Sequence, residues 1–218
     1  MKIQTLLASL LVSGAAMAQT PTIKPIVMKT PNEFQILAAS GNGKWACGTY
    51  SDMSNEQYGF LWNLETGEIE MLDPSKPSVA WSVSDDGLVV GTYEDTSYKS
   101  NGAAVELAGY WANGKWNRFE MPSDEVSGAG AASISPDGHY VTGHVEESGI
   151  YTGYIWKDGK IAKELMNTNC SMPYAIAPDG QSAAGWIQRD NRTACIWEAD
   201  GEVTFLSDYQ SPWSSARK

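Results

Sequence analysis

Ser133–His144 reads SISPDGHYVTGH, and it is either a catalytic corner or a bend between two strands. It contains a Pro-Asp-Gly turn signal and both histidines of the chain. A site would stand alone in the sequence. A structural bend would recur wherever the same fold unit recurs, and this one does. SVSDDGLVVGTY (82–93) and AIAPDGQSAAGW (175–186) follow the same plan, and SGNGKWACG (40–48) opens the series.

The spacing holds four copies in one order. Turn glycines stand at Gly43, Gly87, Gly138 and Gly180, 44, 51 and 42 residues apart. A second glycine follows at Gly48, Gly91, Gly143 and Gly185. Next come Trp62, Trp111, Trp156 and Trp197, each with a small residue three places before it (Gly59, Ala108, Gly153, Ala194). A further turn glycine closes each unit at Gly67, Gly114, Gly159 and Gly201. A fixed period of this size is the mark of a repeat architecture. The units run over 34–72, 79–119, 130–165 and 174–206, with a partial fifth at 209–218.

Each unit reads as four short strands. S-x-D/N-G is a hairpin signal, because Gly takes the left-handed conformation at little cost and Pro presets the preceding φ. LVVGTY and EVTFL are β-rich runs bounded by turn residues. No long 3.6-residue apolar period appears in 19–218, so no substantial helix is expected. The expected fold class is all-β and β-propeller-like, with four-stranded antiparallel blades, about four repeats and the start of a fifth. A β-solenoid or sandwich is the alternative, although solenoid coils are usually shorter and a sandwich has no reason to repeat at this period.

Tyr58–Tyr93, YGFLWNLETGEIEMLDPSKPSVAWSVSDDGLVVGTY, resembles the HAF-type extracellular repeat of secreted bacterial proteins. An aromatic-Leu-Trp strand, a Gly turn, an Asp-Gly turn and a V-V-G strand carry the likeness. Tyr58-Gly59 replaces the His-Ala pair of that repeat. SISPDGHYVTG is similar to the WD-like SPDG repeats of periplasmic propellers. The resemblance spans most of Phe34 to Leu206 and implies an architecture rather than an activity, since propellers host unrelated functions.

The ends carry different signals. Residues 1–18 read as a secretory signal: Lys2, an apolar run from Leu6 to Val12, and an Ala16-Met17-Ala18 cleavage site. The run is too short to span a bilayer, an uncleaved anchor being the alternative. The expected location is therefore periplasmic or extracellular. PTIKPIVM (21–28) reads as a lone strand within the 19–33 linker. SDYQSPWSSARK (207–218) repeats the start of a unit, with Trp213 in the place of Trp81. The expectation is an incomplete ring, a truncated chain or a fragment of a longer propeller.

Composition excludes one class of partner. The formal charge is −11, and loss of Lys2 with the signal makes it −12. Such a surface repels phosphate backbones, so nucleic acid is not an expected partner. Cys47 and Cys195 lie in apolar runs as small buried thiols, and a Cys170–Cys195 bridge is the one disulfide considered. Asn169-Cys170-Ser171 and Asn191-Arg192-Thr193 match the glycosylation sequon.

No catalytic residue, metal site or cofactor is expected. The turn aspartates lack the alternating oxygen donors of a calcium loop. His139 and His144 are five apart along a strand, hence on opposite faces, and no third His completes a zinc site. Glu146-Glu147 reads as solvated loop charge, and the four repeated tryptophans read as core. Antiparallel alternation puts the connections 51–58, 94–107, 144–152 and 187–193 on one face, opposite the D-G turns. Loops on a rigid scaffold carry function, so Tyr58, Tyr98, Tyr151 and Arg189 are the candidate contacts for a protein or glycan ligand. The expected function is a secreted, non-enzymatic binding module. The alternatives are a fragment of a larger propeller enzyme acting on glycans or peptides, and a purely structural surface repeat.

Overall fold

The repeated turn is built from side-chain hydrogen bonds that its sequence prescribes. In the computed structural model Ser135 Oγ donates to Asp137 Oδ1 at 2.5 Å, while Ser135 Oγ accepts from the Tyr140 amide and Asp137 Oδ1 from the His139 amide. Ser40 with Asn42, and Ser84 with Asp86, repeat the arrangement. Gly138, at φ +80°, completes a type I turn with a left-handed residue, which returns the chain as a hairpin. The model describes residues 33–206 except 52, 53, 101, 166–169 and 190. The expected signal (1–18), the lone strand at 21–28 and the partial fifth unit (209–218) lie outside the described residues.

Sixteen strands form four antiparallel sheets, each a simple meander. The first holds β1 (Glu33–Ala39), β2 (Trp45–Ser51), β3 (Gln57–Asn63) and β4 (Ile69–Met71). The second holds β5 (Ser78–Val83), β6 (Val89–Ser100), β7 (Ala103–Ala112) and β8 (Lys115–Arg118). In the third are β9 (Val126–Ile134), β10 (Tyr140–Glu147), β11 (Ile150–Lys157) and β12 (Lys160–Leu165). In the fourth are β13 (Ser171–Ile176), β14 (Ala183–Gln188), β15 (Arg192–Trp197) and β16 (Val203–Phe205). This is an all-β, propeller-like repeat, and among the described residues no helix is long and apolar enough to cross a membrane.

The first strands of successive sheets pack against one another, so β1, β5, β9 and β13 are the innermost strands and β4, β8, β12 and β16 the outermost. The core lies between sheets. Alternation along β11 shows how: Trp156 joins the cluster shared with the second sheet, and its neighbour Ile155 the one shared with the fourth. Trp62, Trp156 and Trp197 are buried. Trp111 is only half-buried and donates its indole N–H to Glu70 at 2.8 Å, across to the preceding sheet. Trp156 does the same to the Glu120 carbonyl, at 2.8 Å.

The small residue before each Trp has a physical cause. The next sheet's first strand packs on it, and Ser78 Oγ and Ser171 Oγ accept from the amides of Gly59 and Gly153 at 3.0 and 2.7 Å. A Cβ at Gly153 would lie 2.8 Å from the Pro173 ring.

Two expectations need correction. The connections at 94–107 and 144–152 are not loops but strand, because the β6–β7 ladder continues to Ser100↔Ala103 and the β10–β11 ladder to Glu147↔Ile150. Ser148 and Gly149, both at positive φ, close the latter as a two-residue hairpin turn whose twist matches the strands. Nor is there a Cys170–Cys195 bridge. All three cysteines are free thiols, with Cys47 and Cys195 sealed in the inter-sheet core.

Candidate functional site

The second glycine of each unit marks the site. In each sheet the innermost strand carries one extra residue against its neighbour: Leu37, Trp81, Ala132 and Tyr174. These are β-bulges, which bend a strand and re-aim a side chain. Each bulge brings a backbone carbonyl onto the facing glycine. A Cβ at Gly48, Gly91, Gly143 or Gly185 would lie 1.9, 2.0, 2.0 or 2.1 Å from that oxygen. Only glycine fits there.

All four bulge residues line one groove of about 950 Å³ along the innermost strands. Within an otherwise repeated frame this position varies from Leu to Trp to Ala to Tyr. Trp81 is 44% exposed in it, and its indole N–H donates to Thr92 Oγ1 at 3.2 Å. Tyr174 accepts from the Trp186 indole N–H at 3.2 Å. The floor is the small-residue stretch of β9, where Gly128 and Gly130 leave space beside Glu146, Thr92 and His144. From the bulges the groove runs towards the β6–β7 and β10–β11 hairpins, where Glu106, Glu146 and Tyr151 line it.

Its charge is one-sided. Among the described residues Glu106 and Glu146 line the groove and no Lys or Arg does. His144 packs its ring 5.4 Å from that of Tyr151, and burial lowers its pKa to about 4, so it is neutral near pH 7. The Glu146 carboxylate, then burial, raises the Tyr151 phenol above its usual value. The groove therefore presents aromatic faces, neutral donors and two carboxylates.

Of the four candidate contacts read from sequence, Tyr151 lies in this groove. Tyr98 lines a separate recess of about 610 Å³ between the second and third sheets, with the Arg118 guanidinium 5.2 Å over its ring and its hydroxyl accepting from the Val126 amide. Arg118 pairs there with Asp95 at 3.4 Å. Burial pushes the Asp95 carboxyl up, but hydrogen bonds from Ser97 and Tyr93, with the Arg118 charge, outweigh it and hold it below its usual range. Tyr58 is buried, bonded through its hydroxyl to Glu56 and packed on Tyr50. Arg189 lies over the Phe205 ring at 4.6 Å. The four are thus not brought to one place.

The histidines separate as alternation requires. His139 is exposed beside Asp158 at 2.6 Å, whose carboxylate raises its pKa, while His144 faces the groove. Trp81 and Tyr174 were not among the expected contacts. The available signal was the single variable residue six places before each turn glycine.

No protein-family model matches the chain, and no curated protein matches it in sequence. Solved structures do resemble it in fold. TolB from Acinetobacter baumannii is similar with a TM-score of 0.54 and 18% identity, over 78% of this chain and 42% of that one. A putative TolB from Agrobacterium tumefaciens aligns with a TM-score of 0.53 and 16% identity, over 78% and 63%. A structure from work on two prolyl endopeptidases aligns with a TM-score of 0.55 and 12% identity, over 83% and 29%. The chain spans less than two thirds of the length of each of these, and the likeness is one of propeller fold.

Proposed function

We propose that this chain is an exported, non-enzymatic binding module whose ligand, a protein or a glycan, occupies the groove along the innermost strands. The observation that carries the reading is Trp81, a large apolar side chain held 44% exposed by a bulge in the wall of a 950 Å³ groove. Exposed Trp and Tyr on a rigid support are the residues most often found to dominate binding. The signal sequence at 1–18 supports export, and the repeat pattern at Tyr58–Tyr93 supports kinship with HAF-type extracellular repeats. Tyr151 is retained as a contact. Tyr58, Tyr98 and Arg189 would touch only a ligand that reaches beyond the groove.

Peptide and glycan arrays probed with the chain lacking residues 1–18 test this reading. Binding that is lost in Trp81→Ala and Tyr151→Ala, with unchanged circular dichroism, is the expected result. Turnover of any peptide or glycan substrate by the purified chain would overturn the non-enzymatic part. Binding indifferent to both substitutions would overturn the site.

A further inference from the structure

The groove's charge and its strand edge narrow the ligand class, given the binding reading above. Glu106 and Glu146 line the groove without a cation beside them among its described residues. Glu94 stands directly across the ladder from Glu106, so two carboxylates share one cross-strand pair. Like charges placed opposite one another in a sheet repel, and a cation between them relieves the repulsion. An anionic ligand is disfavoured by the same charges.

The backbone adds a second element. β9 has one strand neighbour, β10, and is the terminal strand of its sheet. At a terminal strand, alternate N–H and C=O groups point away from the ladder and can accept an added strand. Ser127–Ser133 line the groove continuously, and with Gly128, Gly130, Ala129, Ala131 and Ala132 within that run no large side chain stands over the edge. The Cβ that Gly128 lacks would point at Glu146 Oε2, 3.2 Å away. The open edge and the carboxylate thus adjoin.

We propose that the groove takes an extended peptide segment bearing Lys or Arg, its backbone along the free edge of β9 and its cationic side chains on Glu106 and Glu146, with Trp81 covering its apolar stems. Long basic side chains suit such a wall, since their methylenes lie on an aromatic face while the charged head reaches a carboxylate.

The test is calorimetric titration of the chain lacking residues 1–18 with four probes: acetyl-(Ala-Arg)3-amide, acetyl-(Ala-Glu)3-amide, acetyl-(Ala-Ser)3-amide and chitohexaose. The Arg peptide is expected to bind, more weakly as salt rises. Glu106→Gln with Glu146→Gln is expected to weaken it about tenfold. Gly128→Leu, which meets only the flexible end of Glu146, is expected to abolish binding with the melting temperature unchanged. Equal binding of the Ser or Glu peptide, or indifference to the double Gln variant, overturns the inference. Binding of chitohexaose alone, lost in Trp81→Ala, overturns it while leaving the binding-module reading intact. Failure of all four probes refutes the cationic-peptide assignment, and the arrays described above then judge the broader reading separately.

Discussion

Gly143→Ala is the substitution on which the account of the bulges rests. The added Cβ would lie 2.0 Å from the Gly130 carbonyl oxygen and 2.9 Å from both the Gly130 carbonyl carbon and Ala131 Cα. All three atoms are backbone, so no side chain can swing aside. β9 and β10 would have to part by more than an ångström at the bulge, straining the ladder around Gly143↔Ala131 and His144↔Gly130. Overpacking with backbone shift costs about 1–3 kcal/mol, and two weakened hydrogen bonds add about 1 kcal/mol each, for a total of about 3–5 kcal/mol. For a domain of this size that corresponds to a fall of roughly 10 °C in Tm. Gly114→Ala is the control. Its φ is +71° but nothing lies within 4 Å of the added atom, so only the left-handed conformation opposes it, at about 1 kcal/mol. Equilibrium urea unfolding followed by tryptophan fluorescence measures both. If Gly143→Ala proves as mild as Gly114→Ala, the close approach at the bulge is not real and the reasoning fails.

Three further outcomes follow from individual side chains. Ser171→Ala removes the acceptor of the buried Gly153 amide and the donor to the Leu165 carbonyl, and should lower unfolding free energy by about 2 kcal/mol, a loss that Ser171→Cys only partly restores. His144 has its pKa lowered to about 4 from the usual 6.5, so between those values the unfolded chain binds a proton that the native chain refuses. Stability should therefore fall on acidification from pH 6.5 to 4, by up to about 3 kcal/mol from this residue, and His144→Gln should flatten that slope. His139 runs the other way, since Asp158 raises its pKa, so its contribution is complete at low pH and fades as pH rises past that value. Burial pushes the thiols of Cys47 and Cys195 up to about 12, whereas Cys170 is only partly buried. A colourimetric thiol reagent should label Cys170 first in native protein, and all three at similar rates in urea.

Sequence alone determined what depends on local chemistry and period. The S-x-D/N-G turns are closed by bonds between residues two and four apart, so Ser135, Asp137 and Gly138 specify their hairpin without outside help. Four-stranded units follow from strand length and turn spacing, and the burial of Trp62, Trp156 and Trp197 from their recurrence at one place. Less was legible where a contact joins distant residues. The 94–107 connection carries the polar composition of a loop, yet cross-strand pairing out to Ser100↔Ala103 makes it strand. The second glycines were visible as a pattern, but their cause is a carbonyl on another strand, 13 residues earlier for Gly143 and Gly130.

The site depended most on tertiary structure. Tyr58, Tyr98, Tyr151 and Arg189 share a type of connection, but cross-strand and inter-sheet packing sends their side chains to different neighbours. Trp81 looked like one more aromatic in a β-run. A bulge of a single residue turned it outward, because an extra residue breaks the two-residue alternation by which sequence foretells which side chain faces the core.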